Sequence, residues 1–128
     1  MARKFFLLHI VMLILLLFCH LSGHAEEKDD LKKAEAIKTY LAQHFGVPGS
    51  KIPWYDNIID VKVKGDTASV MTNLSPGDQR EIANVCGVVS GFVYSHLNAA
   101  LKITKVEIVG GSDKVLLFRK SALDACIP

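Results

Sequence analysis

Nucleophilic catalysis has few candidate residues in this 128-residue chain. It requires a serine or cysteine with a base within hydrogen-bond reach and a third group that orients the base. After residue 25 the chain contains two histidines, His44 and His96, and each lies near the predicted end of a helix, outside any catalytic motif. Cys86 falls among apolar residues within a predicted helix, an environment that makes a thiol unreactive. The sequence therefore predicts a protein that is not an enzyme.

Metal binding and paired-carboxylate chemistry have equally little support. Beyond residue 25 the sequence lacks the HxxxH and CxxC spacings of zinc sites and the spaced aspartates of calcium loops. Asp56 and Asp60 could act together as general acid and base, but carboxylates at this spacing also commonly face solvent beside a strand. The sequence predicts neither a metal site nor a cofactor.

Two cysteines, Cys86 and Cys126, follow residue 25. An even number of cysteines in an exported protein predicts one disulfide. The bridge would close a loop of about 40 residues, for which the chain-entropy model gives roughly 4 kcal/mol of stabilisation. The alternative is a buried free thiol at Cys86 and a loose Cys126 in the tail.

The loop GVPGSKIPWYDN carries an aromatic pair, Trp54 and Tyr55, directly after Pro53. A rigid aromatic pair on a proline-framed loop offers a large contact area at a small entropic cost, which predicts a binding site. In the alternative interpretation the loop folds back, and the indole of Trp54 closes one end of the core.

Small residues interrupt an uncharged stretch between Val85 and Tyr94. Gly87 and Gly91 lie one helical turn apart, so another backbone could approach the helix closely there. Close packing on the protein's own sheet is one interpretation. The other is a homodimer or partner surface through the Gly87 and Gly91 face.

The first 25 residues have the pattern of a cleaved secretory signal. Arg3 and Lys4 precede the apolar run Ile10–Cys19, and the small residues Gly23 and Ala25 fit the peptidase groove. We therefore expect cleavage after residue 25, a mature chain of residues 26–128 and a periplasmic or extracellular destination. The alternative is a retained N-terminal membrane anchor.

Charge balance argues against nucleic-acid binding. Residues 1–25 hold 2 of the 15 basic residues and none of the 13 acidic ones, which leaves 13 of each sign in the mature chain. A protein that neutralises phosphates normally shows a basic excess. A mature chain of this length corresponds to one small domain.

Helical spacing of apolar residues predicts two helices. The first spans residues 31–45, begins after a capping Asp30 and ends at Gly46. The second spans residues 76–97 and begins after Ser75, whose hydroxyl would cap it.

Alternating apolar and polar residues predict four strands in two hairpins. The first hairpin covers residues 59–72 and turns at Gly65, and the second pairs residues 104–108 with residues 115–118. The predicted order is helix, two strands, helix, two strands. This order indicates a single α+β domain in which an antiparallel sheet packs against helices.

The run from Ile58 to Ile108, with IIDVKVKGDTASV, DQREIANVCGVVSG and ITKVEIV, resembles the BON domains of bacterial envelopes. Those domains also place a helix, a hairpin, a helix and a returning strand in this order. Thr72, Asn73 and Leu74 stand where that family usually has a glycine, and the final strand is additional. The resemblance implies an exported binding domain associated with envelope or lipid, and no functional residue is carried over from it.

These observations together predict a small exported binding domain without catalytic activity. Its partner would be a protein or a cell-envelope component, contacted through Trp54 and Tyr55 or through an edge of the sheet. The alternative function is an inhibitor or immunity-type protein that blocks a secreted enzyme with the same loop. A third hypothesis is a small hydrolase that uses His44 or His96.

Overall fold

The computed structural model describes the backbone of residues 2–128 and the side chains of residues 23–128. Two helices and four strands alternate in the predicted order, which confirms the α+β class. Their bounds are α1 (Ala2–Phe45), β1 (Ile58–Lys64), β2 (Thr67–Thr72), α2 (Gln79–Val93), β3 (Lys105–Val109) and β4 (Val115–Arg119). Short 3₁₀ segments, Pro53–Asn57 and His96–Leu101, precede β1 and follow α2.

Helix α1 starts far earlier than predicted, although it ends at Phe45 as expected. Asp30 therefore lies inside the helix and does not cap it. The physical reason is that leucine, alanine, glutamate and lysine favour the helix and no proline interrupts them before residue 48. The predicted signal features, Arg3, Lys4 and Ile10–Cys19, lie outside the described side chains. Within residues 23–128, whose side chains are described, no helix is long and apolar enough to cross a membrane.

The sheet has the strand order β1-β2-β3-β4 and is mixed. The two predicted hairpins, β1 with β2 and β3 with β4, are antiparallel, but the central strands β2 and β3 are parallel. The expectation of a wholly antiparallel sheet is thus wrong at the centre. Helix α2 returns the chain to the end of the sheet where β2 began, and a strand that follows such a crossover runs parallel.

Both helices pack on the same face of the sheet. Ile37 and Leu41 of α1 and Val89 of α2 join Val70 and Ile108 from the two central strands in one fully buried cluster. Alternate residues of β2 and β3 belong to this cluster, as a two-layer fold requires.

Helix α2 begins at Gln79, three residues later than predicted. Residues 75–78 form a turn in which the Asp78 carboxylate accepts hydrogen bonds from the Ser75 backbone N–H at 2.7 Å and from its hydroxyl at 2.8 Å. The predicted capping role of Ser75 is therefore wrong. Asp78 occupies the N-cap position, and hydrogen bonding by Ser75 lowers the pKa of its carboxyl.

The turn of the first hairpin is attached to α1. Gly65 adopts a positive φ of 62°, which suits glycine in a two-residue turn. Its N–H donates to both carboxylate oxygens of Asp30, at 3.2 and 3.1 Å, and its carbonyl accepts from Lys33 Nζ at 3.2 Å. These contacts fix α1 along the outer strand β1.

Candidate functional site

Strand β1 lies at one edge of the sheet and pairs only with β2 within the described chain. The residues that flank a two-residue hairpin turn exchange backbone hydrogen bonds, and alternate residues along the strand do the same. Lys64 and Lys62 therefore bond inward to β2. The N–H and C=O groups of Val63 and Val61 point outward, away from the sheet.

The opposite edge of the sheet is partly covered by the C-terminal segment. Phe118 of β4 exchanges backbone hydrogen bonds with Ile127, at 2.8 and 2.9 Å. Cys126, the preceding residue, is bonded to Cys86 of α2, with 6.4 Å between the two Cα atoms. The predicted disulfide is thus present, and it holds the C-terminal segment against β4. Of the two edges in the described chain, β1 is the one that lacks such a cover.

A groove of about 910 Å³ runs between α1 and the outer edge of β1. Its exposed apolar side chain is Leu31 of α1, and beside it lie the partly buried Val63 and the buried Ala34 and Val61. A second depression of about 420 Å³ continues along β1 as far as Tyr55. We call the two together the α1–β1 groove.

An ion pair crosses the groove where the two depressions meet. Lys38 Nζ lies 2.7 Å from Asp60 Oδ1, and the same oxygen accepts the outward N–H of Val61 at 2.8 Å. The hydrogen bond between the two side chains lowers the pKa of Asp60 and raises the pKa of Lys38. Both side chains are about two-fifths exposed, at 39% and 41%. The pair therefore covers Val61 with groups that can move.

Two large apolar side chains border the groove and face solvent. Leu31 on α1 is 65% exposed, and Ile59 on β1 is 67% exposed. Ile59 is the additional residue of a β-bulge between Ile58 and Asp60, which turns it away from the core. An extended apolar segment placed along β1 would remove both side chains from water.

The aromatic residues of the loop occupy different environments. Trp54 is 7% exposed, and its ring centroid lies 5.0 Å from that of Phe45 in the core. The indole therefore closes the core, as in the alternative interpretation, and has little surface for a partner. Tyr55 is half-buried and lines the α1–β1 groove beside Ile59. Of the predicted pair, Tyr55 is the one at the site.

Gly87 and Gly91 face solvent, and apart from the neighbouring backbone of α2 itself no described atom lies within 4 Å of a Cβ at either position. The interpretation that they pack closely on the protein's own sheet is therefore wrong. They lie on the side of α2 opposite its buried residues, which include Val85 and Val89. A partner surface on this face stays a prediction.

Among the described side chains, no hydrogen bond or ion pair joins the residues considered for catalysis to one another. His44 Nδ1 lies 2.9 Å from the carbonyl oxygen of Tyr40, one turn back along α1. Asp56 forms an ion pair with Lys51, whereas Asp60 is bound to Lys38, so the two carboxylates are held by different lysines. In the described part of the chain, no group of three histidine, cysteine or acidic side chains could hold a metal ion.

Of the groove residues, the sequence patterns singled out Tyr55 and Asp60 but not Leu31, Lys38 or Ile59. Leu31 and Ile59 fit the periodicity of core residues, and Lys38 fits that of a solvated helix face. The bulge that exposes Ile59 and the cover on β4 arise from tertiary contacts, which periodicity does not encode.

The chain matches no protein-family model, no curated protein and no solved structure. The resemblance to BON domains therefore remains one of residue pattern.

Proposed function

We propose that this chain is an exported, non-catalytic binding domain that takes a partner protein along the α1–β1 groove. The partner contributes an extended segment that adds a strand to β1. The observation that supports this most strongly is the contrast between the two edges of the sheet, since the C-terminal segment is hydrogen-bonded to β4 at Phe118 and no described segment pairs with the outer edge of β1.

Strand addition uses the groups that β1 leaves unpaired. The outward N–H and C=O of Val63 supply main-chain hydrogen bonds, and the apolar surface at Leu31 and Ile59 receives alternate side chains of the added segment. In this mode of recognition the main chain supplies affinity and the alternate side chains supply specificity. Tyr55 stands at the far end and adds an aromatic contact.

Export is part of the proposal. The pattern of residues 1–25 supports it, and so does the bonded pair Cys86 and Cys126, because disulfides persist in oxidising compartments. A periplasmic or extracellular partner follows from this, either a protein or a protein component of the envelope.

Site-specific photo-crosslinking tests the proposal in the cells that make the protein. A benzophenone side chain at Ile59 should give a discrete adduct, because Ile59 borders the groove. The same group at Ala83, an exposed residue of α2, is the matched control and should give none. Adducts of equal yield at both positions, or none at either, would contradict the proposal.

A second variant tests the hydrogen-bonding mode. Val63→Pro removes an outward N–H that β2 does not use, so the fold should persist while the Ile59 adduct is lost. Lys62→Pro removes an inward N–H and should destabilise the sheet itself. If the adduct contains a secreted enzyme whose activity falls on addition of the chain, the inhibitor alternative is the correct one.

A further inference from the structure

We infer that the α1–β1 groove accepts a second copy of this chain, through antiparallel pairing of β1 with β1 about Val61. The inference rests on the proposed use of β1 as the docking edge, and it names the partner. The inference is carried by the sequence of β1, IIDVKVK. When this strand is paired antiparallel with a second copy, an acidic residue of each copy can face a basic residue of the other.

Symmetry limits how two copies can pair. A two-fold axis perpendicular to the sheet makes the two strands antiparallel and puts the helices of both copies on one side. Directly opposite residues of an antiparallel pair point to the same face. Odd-numbered residues of β1, which include the buried Val61, must therefore face odd-numbered residues of the second copy. Three registers in the regular part of the strand satisfy this, centred on Val61, Lys62 or Val63.

Charge selects one of the three registers. Centring on Lys62 places that lysine opposite its own copy, and centring on Val63 places Lys62 opposite Lys64 twice. Centring on Val61 places Asp60 opposite Lys62 of the second copy, again twice. Directly opposite like charges destabilise a strand pair, and opposite charges stabilise it. The Val61 register is the one without a like-charge pair.

The same register places Val61 opposite its own copy. Val61 and Val63 are the outward residues of the regular part of β1, so their backbone groups are those available for hydrogen bonds between the copies. Val63 comes to lie level with the bulge at Ile59 of the second copy, so the bulge marks the end of the paired segment.

In the single chain, the carboxylate of Asp60 accepts the hydrogen bond that the second strand would accept in the pair. The donor is the Val61 N–H, a group that the Val61 carbonyl of the second copy takes over in the pair. Lys62 of the second copy then replaces Lys38 as the cation beside Asp60. An ion pair as exposed as that of Lys38 with Asp60 contributes little to stability, so its exchange costs little.

The covered edge at β4 makes the assembly finite. Pairing through β1 uses the uncovered edge of each copy, and the C-terminal segment is hydrogen-bonded along part of the other edge. An isologous contact of this kind closes at two chains and does not continue into a fibre.

Charge reversal tests the register. Sedimentation equilibrium of the protein purified from the cells that export it should give the mass of two chains. Asp60→Lys and Lys62→Asp should each give the mass of a single chain. Each substitution places like charges opposite each other at two points of the strand pair. An equimolar mixture of the two variants should recover the mass of two chains, since every charged pair in the mixed dimer is attractive.

Two further variants serve as controls. Lys64→Asp should leave the dimer intact, because Lys64 faces the uncharged Ile58 in the Val61 register. Gly87→Leu should also leave it intact, whereas it would disrupt a dimer formed through the exposed face of α2. Circular dichroism of each variant establishes that it is folded.

A single-chain mass for the wild type, or a mixture of the two charge variants that stays at one chain, overturns the inference. The inference is also overturned if Gly87→Leu gives a single-chain mass while the two charge variants remain dimers. In any of these cases the proposed function survives if the Ile59 benzophenone still captures a different protein. If that position captures nothing, the proposed function falls as well.

Discussion

The two aromatic residues between α1 and β1 differ in what they contribute. Trp54 packs on Phe45 in the core, and Tyr55 packs partly against the core and partly along the groove. In the proposed function, Trp54 supplies stability and Tyr55 supplies contact area for the partner.

Trp54→Ala should therefore destabilise the protein strongly. Removal of a large buried aromatic side chain costs about 3–5 kcal/mol in the free energy of unfolding. Leu123→Ala is the matched control, because that side chain is 98% exposed, and it should change stability by less than about 0.5 kcal/mol. Urea denaturation gives both values. Tryptophan fluorescence of the wild type should be blue-shifted and poorly quenched, and a red-shifted, easily quenched emission would contradict burial.

The exposed glycines of α2 are expected to weaken it. Glycine inside a helix costs roughly 0.5–1 kcal/mol relative to alanine, and Gly87 has no described neighbour that an added methyl would meet. Gly87→Ala should raise the melting temperature. Gly110→Ala is the contrasting variant, because a Cβ there would lie 2.8 Å from the Leu74 carbonyl oxygen, and it should lower it. A loss of stability in Gly87→Ala would show that a partner surface covers this face in solution.

The ion pair of Asp60 with Lys38 should make stability depend on pH in the acid range. The folded pKa of Asp60 is below its ordinary value, so its contribution is present above about pH 4 and is lost as the pH falls through the folded value. The difference in unfolding free energy between the wild type and Asp60→Asn should be small, because both partners are well exposed, and should shrink further below about pH 4. A difference that grows on acidification would contradict this assignment.

At the level of elements, the attachment of α1 to the first hairpin positions the groove. Asp30 and Lys33 bind the two backbone groups of Gly65, and their side chains are only 15% and 12% exposed. The helix is thus held beside β1 at a fixed height, and the apolar surface at Leu31 stays next to the strand.

Removing this attachment should have a measurable cost. Asp30→Ala leaves the Gly65 N–H without its carboxylate and should destabilise the protein by about 1–3 kcal/mol. Asp29→Ala is the matched control, since the Asp29 side chain is 62% exposed and forms an ion pair with the same Lys33, and it should cost less than about 0.5 kcal/mol. Denaturation in urea distinguishes them. Equal effects of the two substitutions would show that Gly65 does not depend on Asp30.

Periodicity predicted the order and type of the elements because apolar spacing records which face is buried. Burial of Trp54 was one of two interpretations of its loop, and the even number of cysteines predicted the disulfide. Periodicity could not give the direction of β3, since a strand buried on one face has the same pattern in parallel and antiparallel pairs. Nor could it give the exposure of Ile59 or the cover on β4, which depend on a bulge and on contacts between distant segments.

For the whole molecule, cleavage after Ala25 would keep every residue that is buried among the described side chains. The buried residues of α1, which include Ile37 and Leu41, lie well beyond that position. The new helix would begin with EEKDD, and acidic residues at a helix N-terminus interact favourably with its dipole. The segment that appears as helix interior in the full chain is thus also a suitable helix start in the mature one.

A count of free thiols tests both the cleavage after Ala25 and the disulfide between Cys86 and Cys126. Titration of unfolded, unreduced protein should find no free thiol in a chain that begins at Glu26, and one, from Cys19, in the full chain. Two more thiols than this would contradict the bridge.

Cys126→Ser should cost roughly 4 kcal/mol by the chain-entropy estimate for a separation of 40 residues. It should also release the segment that Ile127 holds on Phe118, so that β4 becomes a second uncovered edge. An uncovered edge strand is a template for further pairing. We therefore expect this variant to form species larger than the wild type in sedimentation velocity at equal concentration. Ala125→Ser, at an exposed neighbouring position, should do neither, and a Cys126→Ser variant of unchanged stability and size would show that the C-terminal segment does not depend on the bridge.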